Sequence, residues 1–168
     1  MPFSLRSFLI GSLFCFFFLG VGANPLEASV KNPFQAVKPP GADWKLIKVS
    51  SSEIQVALKS KPKAVNVSLK IMEGVPVDNE FFLDQVRNKC LEDPEAKGAE
   101  FGLVRLQEVG GKRWSYFILK RKDEVNQEFW TRKLSSDQVL MVLYTAVGSY
   151  YDQYRGEFLK VLEQAAKD

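Results

Sequence analysis

From residue 44 onward, apolar and polar residues alternate in short runs that are typical of β-strands. In the clearest run, 65–71, apolar side chains occupy every second position from Val65 to Ile71, so they share one face of a strand. A nearly continuous apolar run at 139–146 predicts a central strand that is buried on both faces. The same reasoning predicts further strands at 44–49, 53–59, 101–109, 113–120 and 125–134.

Two segments have the spacing of amphipathic helices. In the first, Asp78 or Asn79 can cap a helix that carries Phe82 and Cys90 on its apolar side. The second begins at about Ser149, and its apolar residues follow one another at intervals of three and four. Both helices can therefore cover a sheet with one apolar face.

The order of these elements predicts the fold class. Three strands come first, followed by a helix, a four-stranded antiparallel meander and a C-terminal helix, with Gly110 and Gly111 as a two-residue hairpin turn in the meander. Because an amphipathic element must bury its apolar side against another, the economical arrangement is a sheet with helices packed on it. We therefore predict an α+β fold, an antiparallel sheet of about six to seven strands with helices packed on it.

The N-terminal residues have the pattern of an export signal. Arg6 precedes an apolar run at 8–19, and small or modest residues at 21–23 form a cleavage site before Asn24. The run is shorter than the ~20 residues that a comfortable transmembrane helix needs, and an uncleaved anchor stays open as the alternative. We predict a signal peptide at 1–23, a proline-rich tether at 24–43 and one domain at 44–168.

The predicted product is exported to the periplasm or the extracellular space and has no integral membrane segment after cleavage. Removal of Arg6 with the signal lowers the formal net charge from +3 to +2, which is too balanced to predict nucleic acid as a partner. Cys15 leaves with the signal, so Cys90 has no second cysteine with which to form an internal disulfide. Its helical position favours a small buried group over a reactive thiol.

The sequence contains no arrangement that predicts catalysis, a metal site or a cofactor. It has no histidine, which removes the commonest general base near neutral pH. A pair of carboxylates can suffice for a glycosidase, but Glu100, Glu108 and Glu128 are expected to be solvated at strand edges. The acidic stretches at 92–95 and 123–124 lack the ligand spacing of a calcium loop. We predict a protein that is not an enzyme and carries no cofactor.

Aromatic and basic residues of the meander are the candidates for contact with a protein partner. Phe129 and Trp130 face opposite sides of a strand, so both belong to the core if helices cover both faces. If one face is bare, its aromatic residues form a binding surface with Arg132. Tyr150 lies outside the apolar stripe of the last helix, so we expect it to be exposed. We therefore name Trp130, Arg132 and Tyr150 as candidate partner-binding residues.

Two clusters of basic residues in the meander give weaker evidence for a binding site. Lys112 and Arg113 lie at one end of the predicted strand at 113–120, and the residues 120–122 lie at the other end. The two groups are about 25–30 Å apart at ~3.4 Å per residue, so they do not form one patch. Solvated strand ends are the favoured interpretation, and a site for anionic lipid or an acidic partner stays open.

Two stretches of the sequence resemble the PsbP-like superfamily. The first is 39–44, with its prolines and Gly41 before Trp44. The second comprises 142–146, 150–154 and 158–162, a Tyr-Thr-Ala step that leads into a helix with Phe158. The resemblance implies an α/β/α sandwich and a non-enzymatic accessory or partner-binding domain of the cell envelope. A carrier of a small apolar ligand, held between sheet and helix, is the alternative.

Overall fold

In residues 33–75 and 77–167, which the computed structural model describes, eight antiparallel strands form one sheet. The order across the sheet is β1-β2-β3-β8-β7-β6, and both β4 and β5 pair with the outer edge of β6. The strands are β1 (Trp44–Val49), β2 (Glu53–Leu58), β3 (Val65–Met72), β4 (Glu100–Phe101), β5 (Arg105–Val109), β6 (Lys112–Lys120), β7 (Val125–Lys133) and β8 (Val139–Val147), and the helices are α1 (Asn79–Glu92) and α2 (Tyr150–Ala165). The prediction of an antiparallel sheet with helices packed on it is confirmed.

The larger part of the core lies between the sheet and α2. Trp114, Trp130, Tyr144 and Phe158 have no exposed surface there, and the Tyr144 and Phe158 rings stack with their centroids 4.6 Å apart. The sheet side of this core comes from alternate residues of the inner strands, because strand side chains point to opposite faces in turn. The alternation seen in the sequence is therefore the pattern that places one apolar face of the sheet under α2.

The other face of the sheet carries α1 over β6, β7 and β8. Asp78 caps this helix, since its carboxylate accepts a hydrogen bond of 2.8 Å from the Phe81 backbone N–H. Leu83 and Cys90 pack from α1 against Phe129 and its neighbours. Phe129 and Trp130 are thus buried on opposite faces, as expected where both faces are covered.

Cys90 is a buried core residue, as predicted. Its side chain is 7% exposed, and burial, followed by the charge of Asp93, raises the pKa of the thiol to about 12. The thiolate is the nucleophilic and metal-binding form of cysteine. Since the raised pKa keeps Cys90 protonated near neutral pH, the structure favours the packing role over a reactive thiol.

The strand predicted at 101–109 is broken into β4 and β5. Gly102 lies at the break and approaches the β6 backbone so closely that a Cβ atom there would be 3.2 Å from the Ile118 carbonyl oxygen. The Gly102 N–H donates a hydrogen bond of 2.8 Å to that same oxygen. A side chain at Gly102 would require the β6 backbone to shift by a few tenths of an ångström, so glycine suits the close approach. Alternation alone does not predict the break.

The described part of the predicted tether packs on the domain. Residues Pro33–Ala36 form a short 3-10 helix, and Phe34 and Val37 belong to the core that α2 covers. The Trp44 indole N–H donates to the carboxylate of Glu157 on α2. Packing thus begins about ten residues before Trp44, within the segment 24–43 that the sequence predicts to be a proline-rich tether.

The predicted signal peptide at 1–23 and the first part of the tether lie outside the described residues. Among the helices that the structure does describe, none is long and apolar enough to cross a membrane.

Candidate functional site

Strands β6 and β7 pair over only part of their length. Their ladder ends at the pair Ser115–Thr131, although β6 extends back to Lys112 and β7 continues to Lys133. Beyond that pair, β6 is paired only with β5 on its outer side and β7 only with β8. The inner edges of the two strands therefore diverge within the sheet.

A cleft of about 720 Å³ lies where the strands diverge. The first turn of α1, strands β5 and β6 and the end of β7 contribute its walls, and four basic and two acidic side chains are among them. We call it the hairpin cleft, after the β5–β6 hairpin that forms one side. Its lining residues are Asp78, Asn79, Glu80, Leu106, Lys112, Arg113, Ser115, Arg132, Lys133 and Leu134.

On the α2 side of the cleft, Arg132 is held in one position. It is 6% exposed, its Nη2 donates a hydrogen bond of 3.0 Å to the Ala165 carbonyl oxygen, and its guanidinium carbon lies 5.6 Å from the Trp114 ring centroid. A cation at the C-terminal end of a helix is favourable because the last carbonyl groups carry partial negative charge. Arg132 thus fastens the end of β7 to α2.

On the α1 side, Asn79 bridges the two strands at the last ladder pair. Its Nδ2 donates to the Ser115 Oγ at 3.0 Å and to the Thr131 carbonyl oxygen at 2.6 Å. Two further atoms here, Asn79 Oδ1 and Thr131 Oγ1, are buried and have no hydrogen-bond partner among the described residues. Burial of such an atom costs about 1–3 kcal/mol.

The basic residues of the cleft differ in how they are held. Lys133 donates hydrogen bonds to the Val75 carbonyl oxygen and, at 2.8 Å, to that of Val77, which ties the segment before α1 to β7. In contrast, the Arg113 side chain is 74% exposed and lies 3.7 Å from the Glu80 carboxylate. An exposed ion pair of this kind contributes little to stability, so Arg113 can exchange Glu80 for another anion.

A second polar cluster lies under α2 and corrects an expectation from the sequence. Glu128 has no exposed surface, whereas we expected a solvated side chain at a strand edge. Its carboxylate accepts hydrogen bonds from Trp130 Nε1 at 2.9 Å, the Tyr151 hydroxyl at 2.5 Å and Arg155 Nε at 2.6 Å. The Arg155 guanidinium balances its charge, and the cluster joins α2 to β7.

The tyrosines of this cluster are kept neutral by their surroundings. Burial, followed by the hydrogen bond to Glu128, raises the pKa of Tyr151 above its usual value. Burial and then the Glu128 charge raise the pKa of Tyr144 in the same direction. Because the Glu128 carboxylate itself has no exposed surface, the Glu128 cluster is a structural connection between helix and sheet.

The structure separates the three predicted partner-binding residues. Trp130 is fully buried and stacks on Tyr116 with the ring centroids 4.3 Å apart. Arg132 lines the hairpin cleft near the end of α2. Tyr150 is half-buried at the other end of α2, about 22 Å away at ~1.5 Å per residue, where the Lys61 ammonium lies 4.7 Å from its ring centroid.

Only Arg132 of the three therefore belongs to the hairpin cleft. The sequence predicts Asn79 only as a possible helix cap and Arg113 as a solvated strand end, and it does not indicate Ser115 or Lys133 as site residues. The sequence feature that could have indicated the cleft is the pair of basic residues directly after the Gly110–Gly111 turn.

Among the described residues, no three or more His, Cys, Asp or Glu side chains are grouped so that they could hold a metal ion.

Comparison with known proteins identifies the fold. No family model matches the sequence, and a search of curated proteins finds no match. The solution structure of cyanobacterial PsbP (CyanoP) from Synechocystis sp. PCC 6803 is similar, with a TM-score of 0.51 and 13% identity over 73% of this chain and 81% of that one. The chain has a PsbP-like fold, as the resemblance in its sequence implied.

Proposed function

We propose that this chain is an exported, non-enzymatic accessory module of the cell envelope that binds a protein partner. The observation that carries the proposal is the hairpin cleft, where two diverging strand edges and the exposed Arg113 border one space. A concave site with a few convergent polar groups is the usual form of a binding site. The PsbP-like fold supports an accessory role, and the predicted signal at 1–23 supports export.

The predicted partner-binding residues have different places in this proposal. Arg132 forms a wall of the cleft, so we keep it as a residue that faces the partner. Trp130 can act only through the residues that it supports, because it has no exposed surface. Tyr150 stays a prediction, as a separate contact at the other end of α2.

The alternative, a carrier for a small apolar ligand between sheet and helix, has less support. The side chains of Trp114, Trp130, Tyr144 and Phe158 fill the layer between the sheet and α2 and have no exposed surface. Protein cores are packed as densely as organic crystals, so a ligand would have to displace these rings. Native mass spectrometry of the purified chain distinguishes the two functions, since a carrier retains added mass and an empty module does not.

Site-specific photo-crosslinking tests partner binding directly. Leu106 lines the cleft and is 42% exposed, and Leu46 on the distant edge strand β1 is 43% exposed. A photoreactive phenylalanine analogue is placed at one or the other position in the full chain, which is then expressed in its own host. Since the two leucines are equally accessible, any difference between them reports the position of the contact.

We expect a discrete adduct from position 106 and none from position 46. Absence of an adduct at both positions, in cells that contain the folded protein, contradicts partner binding through the cleft. An adduct at position 46 alone places the contact on β1 and contradicts the role of the cleft.

A further inference from the structure

The walls of the hairpin cleft indicate the shape of what it can hold. β6 and β7 both continue past their last shared pair, Ser115–Thr131, and their inner edges border the cleft. Backbone N–H and C=O groups at a strand edge pair readily with another extended chain.

The charges of the cleft indicate the chemistry of the occupant. Of its two carboxylates, that of Asp78 caps α1 and that of Glu80 faces Arg113. The basic residues outnumber them two to one, and Arg113 is the exposed member of the four. Leu106 and Leu134 add apolar surface to the same walls.

We propose that the hairpin cleft binds an extended segment of the partner in which acidic and apolar residues alternate. Its carboxylates lie against Arg113 on the α1 side of the sheet, and its apolar side chains contact Leu134, which packs on the α2 side. Alternation follows from the extended form, because successive side chains of a strand point to opposite sides. This inference rests on the proposed function and specifies the partner's chemistry at the same site.

Fluorescence anisotropy with defined peptides tests the inference in the purified mature chain. The probe is a fluorescein-labelled heptapeptide of alternating glutamate and valine with blocked ends, and the reference peptide has lysine in place of glutamate. Arg113→Glu reverses a charge in the cleft. Arg105→Glu is the matched control, since Arg105 is also an exposed arginine of the β5–β6 hairpin but lies outside the cleft.

We expect the glutamate peptide to bind saturably, more weakly at higher salt, and the lysine peptide not to bind. Arg113→Glu should weaken binding by about tenfold or more, since juxtaposed like charges strongly disfavour association, whereas Arg105→Glu should change it by less than about twofold. Leu106→Trp, at an exposed position, should block the cleft sterically. Circular dichroism of each variant confirms that it is folded.

Three results overturn the inference. The first is no saturable binding of the glutamate peptide, and the second is an equal loss in Arg113→Glu and Arg105→Glu. The third is binding of phosphatidylglycerol vesicles, sensitive to Arg113→Glu, without peptide binding, which assigns the cleft to a membrane surface. If the adduct at position 106 forms in cells but Arg113→Glu leaves its yield unchanged, partner binding stands and the acidic segment alone is refuted.

Discussion

The turn between β5 and β6 packs on the C-terminal end of α2, and this contact depends on Gly110. Its φ of 61° lies in the left-handed region. A Cβ atom added there would be 2.7 Å from the Ala166 Cβ and 3.3 Å from the Glu163 carbonyl oxygen. Gly111, the next residue, has a φ of 73° but no atom within 4 Å of the corresponding position.

Alanine substitutions at Gly110 and Gly111 distinguish the cost of backbone strain from the cost of overpacking. Alanine in the left-handed region costs about 1–2 kcal/mol, and this cost applies to Gly111→Ala and Gly110→Ala alike. At Gly110 the overpacking against α2 adds about 1–3 kcal/mol. We therefore expect Gly110→Ala to lower the free energy of unfolding by about 2–5 kcal/mol, as the sum of both costs.

Urea unfolding followed by circular dichroism measures both variants. The midpoint and slope give the free energy of unfolding in water, and an unchanged slope shows that the unfolded state has not been altered. The reasoning is refuted if the two variants lose the same stability. Equal losses would mean that the hairpin does not rest on α2, and the position of the cleft wall would then be wrong as well.

Further predictions concern the buried groups and the N-terminus. Glu128→Gln should lower the free energy of unfolding by about 1.5–3 kcal/mol, because the hydrogen bonds of Tyr151 and Arg155 lose their charged acceptor. Glu108→Gln, at an exposed position, should lower it by less than about 0.5 kcal/mol. Urea unfolding measures both. Burial raises the pKa of Cys90 from 9.0 to about 12, so its contribution to stability is full below pH 9 and declines as pH rises towards 12; the decline should be smaller in Cys90→Ala. Mass spectrometry of the exported protein should find Asn24 as its first residue, and a product that retains Met1 would contradict signal cleavage.

Most of the fold could be predicted because it follows from local patterns. The period-two alternation from Val65 to Ile71 arises because one side of β3 faces α2 while the other is polar, and the structure places β3 as predicted. The apolar run of β8 reflects its position between β3 and β7, where both faces are covered. Gly110 and Gly111 both adopt positive φ angles, as a two-residue hairpin turn requires.

The hairpin cleft could not be predicted in the same way. The point at which β6 and β7 stop pairing involves residues that are distant in sequence. Asn79, for example, donates hydrogen bonds to both residues of the last ladder pair, Ser115 and Thr131. The burial of Glu128 likewise depends on Arg155, which α2 brings to it from the end of the chain. Local alternation shows which face a residue takes, but not what lies opposite that face.

Hydrogen–deuterium exchange with and without the cross-linked partner shows whether the diverging ends of β6 and β7 are the binding site. The partner should slow exchange at the backbone amides of 112–114 and 132–134 and leave those of β1 unchanged. Protection confined to β1, or to the Tyr150 end of α2, would show that recognition takes place elsewhere on the molecule.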